Sequence, residues 1–159
     1  MSNNIDKQDL LRGYLNLMEI IDFYIESNDI KFQPSSSASQ NFEVVKKHYN
    51  NYGYFEVYNG GDHGFLGQEY NIKFRALHDY MHVTNNLSFS FEDEKQLSII
   101  TQGKFWQIAW NDLGKSAWEC FVIRKIIGAE IKGQIEYFEK NKEYVKDQTK
   151  FIEEYLNVA

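Results

Sequence analysis

A single cysteine and a single proline occur in 159 residues, and each scarcity excludes something. With one thiol the chain forms no internal disulfide, and the apolar run AWECFVI marks Cys120 as a packed sulfur suited to a reducing, intracellular setting. The one proline, Pro34, falls in FQPSSSASQN, where it and the serine run break any regular pattern; residues 33–41 read as a flexible connection, too short to separate two domains. No apolar run reaches the roughly 18 residues that mark a membrane-spanning helix. The polar opening MSNNIDKQD lacks the basic and apolar segments of a secretion signal, so the expected location is cytoplasmic. Blocks of one charge are missing too: 17 basic and 23 acidic residues interleave to a net −6, leaving neither a basic surface for nucleic acid nor an acidic tail.

What is present is apolar and aromatic. At 43% hydrophobic and 16% aromatic residues, the chain can bury the core of one globular domain spanning 1–159. From Ile5 to Ser27, Leu10, Leu11, Tyr14, Leu17, Met18, Ile21 and Ile25 recur at three- and four-residue steps and predict an amphipathic helix. A short helix is expected over Phe42 to His48. A β element follows at about residues 52–58, in YGYFEVYNGG, closed by a tight turn at Asn59-Gly60-Gly61. Ile72, Phe74, Leu77, Tyr80 and Met81 predict a buried helix from about Glu69 to Thr84. Ser90, three residues before Asp93, has the spacing of a capping box that starts another helix running to about Trp110. Ile127, Ile131, Ile135, Phe138, Val145, Ile152 and Leu156 predict one long amphipathic helix over 129–157, whose apolar stripe suits self-association into a homo-oligomer. The expected fold is mainly α, a single-domain helical bundle with that small β element before the histidine helix.

Chemistry concentrates in FRALHDYMH, Phe74 to His82. A helix advances 3.6 residues per turn, so His78 and His82 share a face and both imidazoles reach one ion. The spacing is that of the HExxH zinc proteases, with Asp79 where those enzymes place the glutamate that activates water. Aspartate is one methylene shorter. A catalytic zinc site normally has three protein ligands, and the candidates for the third are Glu92 or Glu94 in the acidic turn after the helix, with His63 as a fourth ligand or a substrate contact. Arg75, four residues before Asp79, either neutralises an anionic substrate or forms an ordinary helix ion pair. The histidines read equally as hydrogen-bonded core residues, and the acidic triplet as a solvated helix start.

The His78-Asp79 doublet also resembles that of the HD phosphohydrolases, all-helical metal enzymes acting on nucleotides, which join it to an earlier histidine and a later aspartate. His48 and Asp112 stand in that order. The chain departs from the family at Tyr80-Met81-His82, where a glycine and lysine are usual, and in the glycine-rich β segment between His48 and His78. A wider resemblance covers roughly residues 56 to 94: GGDHGFLGQEYNIKFRALHDYMH followed by FSFEDE looks like a segment of uncharacterised proteins of bacteriophages and mobile elements. The matching positions are Gly60, Gly61, His63, Asn71, Phe74, Arg75, Ala76, His78, Asp79, His82, Phe89 and Glu92 or Glu94. That likeness implies that the glycine-histidine loop, the histidine helix and the acidic turn form one unit, in the host cytoplasm if the chain is phage-encoded.

Weaker chemistries fall away on composition. NGGDHG lacks the lysine of a phosphate-binding loop, His82-Val83-Thr84 supplies one of the two triplets a 2H phosphoesterase needs, and an apolar helix is a poor setting for a nucleophilic Cys120. Two functional classes stand ahead of a structural role for the histidines. One is a small metal-dependent hydrolase holding a divalent ion, zinc by preference, and acting on a phosphate-containing or other anionic substrate. The other is a non-enzymatic phage protein that binds a host protein through surface aromatics.

Overall fold

The computed structural model describes residues 4–159. Helix α1, Lys7–Ser27, starts at a reciprocal cap: the Asp6 carboxylate accepts from Asp9 N at 2.8 Å and the Asp9 carboxylate from Asp6 N at 3.2 Å. Its buried stripe of Leu10, Tyr14, Leu17, Ile20, Ile21 and Tyr24 faces the core, and the helix packs against α5, Ala117–Ile127. The two helices cross closely at Gly13, where a Cβ would stand 2.6 Å from Ile126 Cδ1 and 2.7 Å from Val122 Cγ1. Glycine here serves close approach.

The β element differs from the expectation. Strand β2, Phe55–Tyr58, pairs in parallel with β1, Phe32–Ser35, in the register Phe32 to Phe55 and Ser35 to Tyr58. The segment read as a flexible connection therefore begins as a strand. Parallel strands need a crossover, and helix α2, Phe42–Tyr52, supplies it, running four residues beyond His48 to a left-handed Gly53 with φ 77°. Pro34 is tolerated because a two-stranded sheet has only edges. Phe55 and Val57 point into the core while Glu56 and Tyr58 face solvent. Asn59-Gly60-Gly61 closes no hairpin, since the partner strand lies upstream.

Helix α3, Gly67–Asn85, carries both candidate histidines and ends at Asn86, whose φ of 52° turns the chain sharply. Helix α4, Phe91–Gln107, follows after a short turn, with the Ser90 hydroxyl accepting from Asp93 N at 3.3 Å. The capping box is incomplete. Asp93 instead accepts from Ser88 N at 2.9 Å and Ser88 Oγ at 2.6 Å, tying down the turn itself. π-Helical turns at Ile108–Asp112 and Gly128–Gly133 flank α5.

The C-terminal region is not one helix over 129–157. After the second π turn come α6, Gln134–Asn141, and α7, Gln148–Tyr155, separated at Lys142, with φ 57°, and restarted by Asp147, which accepts from Lys150 N at 3.0 Å. Ile127, Ile131 and Ile152 are covered within the chain and join the core that all the longer helices share. The fold is mainly helical with one small parallel sheet. No helix among the described residues is long and apolar enough to cross a membrane.

Candidate metal centre

His78 and His82 stand one turn apart near the end of α3, and the turn at Asn86 returns the chain so that Glu94, in the first turn of α4, faces both. Glu94 Oε2 lies 3.1 Å from His78 Nε2, Glu94 Oε1 lies 3.1 Å from His82 Nε2, and the two Nε2 atoms are 3.0 Å apart. Ligands held about 2.0–2.2 Å from a tetrahedral zinc ion stand roughly 3.3 Å from one another, so these three donors need separate by only a few tenths of an ångström.

The tautomers follow from the partners. His82 Nδ1 is 2.8 Å from the Leu87 carbonyl, which only accepts, so Nδ1 carries a proton and Nε2 is the atom turned to the cluster. His78 Nε2, His82 Nε2 and Glu94 converge so closely that either a ring N–H donates within the group or all three atoms face a cation. A carbonyl holding the second nitrogen of a ligating histidine is the usual support for a metal site. His82 is fully enclosed, with Phe89 edge-on at 4.7 Å and Phe42 at 6.4 Å between centroids; Phe74 stacks on His78 at 6.1 Å. The His78 and Glu94 side chains keep 19% and 13% of their exposure, which leaves a route from solvent. His78 Nδ1 is buried without a partner.

Burial would raise the Glu94 carboxyl, but the two imidazoles outweigh it and hold it well below the usual carboxylate range. Asp79 goes the other way: burial pushes it up to about 7, assisted by the charge of Glu94 and opposed by those of His82 and Arg75. Unlike Glu94, Asp79 has no side-chain hydrogen bond or ion pair among the described residues. It is a carboxyl beside the cluster with both oxygens uncommitted.

The other expected site residues lie elsewhere. Glu92, two residues before Glu94, is exposed and 3.9 Å from Lys95 Nζ. His63 sits in the loop at the opposite end of α3, beside Asp62, whose carbonyl accepts from Asn71 Nδ2 at 3.3 Å; its Nδ1 is buried and unpartnered. Arg75 Nη1 donates to the carbonyls of Tyr58 at 2.7 Å and Gly60 at 3.0 Å, pinning the glycine segment to α3, and forms no direct ion pair with Asp79. His48 packs between Tyr52 and Tyr54 on the sheet side, and exposed Asp112 lies in a π turn, so neither joins the histidine cluster. Sequence reasoning missed the supporting Leu87 carbonyl and the Ser88–Asp93 clasp; the Asn85-Asn86 pair, a turn signal, pointed toward both. Comparison with protein-family models, with curated proteins and with solved structures finds no match to this chain.

Proposed function

We propose that His78, His82 and Glu94 hold a divalent ion, zinc by preference, and that the protein is a small metal-dependent hydrolase. The observation that carries the reading is the convergence of three donor atoms from two helices, with His82 Nε2 aimed inward by the bond from Nδ1 to the Leu87 carbonyl. A bound ion of this kind lowers the pKa of a coordinated water toward neutrality and polarises a substrate oxygen. Asp79 is our candidate to take the proton of that water: its carboxyl is near enough to feel the charges of His82 and Glu94, and its oxygens have no other partner. Phe74 and Phe89 shield the histidines from bulk water. Arg75 is occupied by backbone carbonyls and gives no reason to favour an anionic substrate, so phosphate esters, carboxylic esters and amides belong in one assay.

Protein purified without chelator is expected to carry about one equivalent of metal by mass spectrometry, lost in His78→Ala and His82→Ala. Ester or amide hydrolysis should fall to the buffer rate on chelation and return with added zinc. Absence of metal, with both variants as stable as the parent, sinks the reading.

A binding role is favoured by a different observation. Trp106 and Trp110 stack at 5.7 Å and are 37% and 47% exposed, and with Ile99 at 69% they form an exposed apolar group on α4 and the π turn that follows it. Large exposed aromatics are enriched where partners dock. Capture of a partner that survives loss of both histidines but is lost in Trp106→Ala would favour this reading; capture insensitive to that change would remove it.

A further inference from the structure

A second polar site lies where α1 crosses α5, far in sequence from the histidines. A cleft of about 160 Å³ opens there, with Asp9, Arg12 and Asn16 from α1 on one side and Ser116, Trp118 and Glu119 from the start of α5 on the other. Asn16 is 5% exposed. Its amide is close enough to favour the charged form of Glu119, yet its Nδ2 is buried and reaches no acceptor in hydrogen-bonding geometry. A buried amide donor left open is unfavourable and is relieved by an acceptor entering the cleft.

The remaining groups define that acceptor's chemistry. Asp9 has both oxygens engaged, Oδ1 by Trp118 Nε1 at 3.0 Å and Oδ2 by Asp6 N at 3.2 Å. Glu119 Oε2 accepts from Ser116 N at 2.8 Å, which leaves Oε1 for another donor. The Arg12 guanidinium is exposed at the rim and makes no hydrogen bond or close ion pair among the described residues. Two carboxylates against one guanidinium leave the lining net negative. A bare anion meets that charge unfavourably, and a bare cation leaves Arg12 and the Asn16 donor unmatched. A molecule carrying both signs satisfies each group. A cavity of about 150 Å³ accommodates a six-atom molecule such as benzene, and the shortest α-amino acids are of that size.

We propose that this cleft binds a small zwitterion of the α-amino-acid class, its carboxylate held by Arg12 and the Asn16 amide and its ammonium by Glu119. Trp118 walls the cleft and reports on it through its indole N–H. The test titrates alanine into ¹⁵N-labelled protein, with acetate and methylammonium as single-charge probes, and assigns the Trp118 indole signal with Trp118→Phe. Alanine should shift that signal saturably while the Trp106 and Trp110 indoles stay in place. Each single-charge probe should bind about tenfold more weakly or worse, and Arg12→Ala, an exposed change that leaves the core alone, should weaken alanine by about tenfold. Absence of a saturable shift, equal binding of acetate or methylammonium, or unchanged affinity in Arg12→Ala overturns the proposal.

Discussion

Asparagine in place of Asp79 is expected to lower metal-dependent turnover by about 10²- to 10⁴-fold, the usual contribution of a positioned general base, with metal content unchanged. The separation of the two effects comes from the geometry. His78, His82 and Glu94 present the donor atoms, and Asp79, next to His78 in sequence, is not one of the grouped ligands. Asparagine keeps the shape and removes the ability to accept a proton at that position. His82→Ala differs in kind, because it opens a space at a fully enclosed ring and leaves Glu94 Oε1 and the Leu87 carbonyl without their partner. That variant should lose metal and stability together, so it cannot report on the base. The informative comparison is turnover per bound ion in the parent and in Asp79→Asn, measured on whichever ester or amide the parent hydrolyses. Equal turnover per ion removes Asp79 from the chemistry. Loss of the ion in Asp79→Asn would make it a ligand or a support of the ligands instead.

The sequence carried the helical part of this site well and the loops poorly, for identifiable reasons. His78 and His82 lie on one face because helical periodicity alone places them there, and Ile72, Leu77 and Met81 of the same helix are buried in the core. Choosing between Glu92 and Glu94 needed the phase of α4 relative to α3. That phase is set by the Asn86 turn and the Ser88–Asp93 clasp, which no pattern in either helix encodes. His63 is close to the histidine helix in the chain but belongs to its far end: from Gly67 to His78 the helix climbs about 16 Å. Sequence proximity to an element is therefore not proximity to its functional turn.

The same contrast holds for the fold. The stripe in α1 was legible from its steps of three and four, whereas β1 offered four residues, one of them proline, and its partner lay beyond an intervening helix. Local signals cannot reveal a pairing made that far away. In the C-terminal third the apolar steps persist across KNKEYVKD, so periodicity reads through the break. The left-handed Lys142 and the Asp147 cap decide otherwise.

Glu130 sits in the second π turn, where the Tyr14 hydroxyl donates to Oε1 and Gln134 Nε2 donates to Oε2 at 3.0 Å. Burial pushes its carboxyl from 4.5 up to about 7, with the charge of Asp62 adding to the rise and the two hydrogen bonds opposing it. A carboxyl raised in the folded state binds its proton more tightly there than in the unfolded chain. Its contribution to stability is full below about pH 4.5 and is lost as pH rises through about 7. A shift of that size corresponds to at most about 3 kcal/mol, nearer 2 kcal/mol because the residue keeps some solvent contact. Glu130→Gln retains the volume, an acceptor for Tyr14 and no titration, so its stability should change less with pH than the parent's. Glu94, held below the usual range, acts with the opposite sign only in acid, below its unfolded value of about 4.5. Asp79 acts in the same window as Glu130, with the same sign, and is present in both proteins. Urea unfolding at pH 5.5 and pH 8 should therefore show the parent losing about 1 kcal/mol more than the variant between the two conditions, the rest having been lost below pH 5.5. Parallel losses would mean that Glu130 is ionised in the native protein across the whole range, and that the Tyr14 and Gln134 hydrogen bonds outweigh its burial.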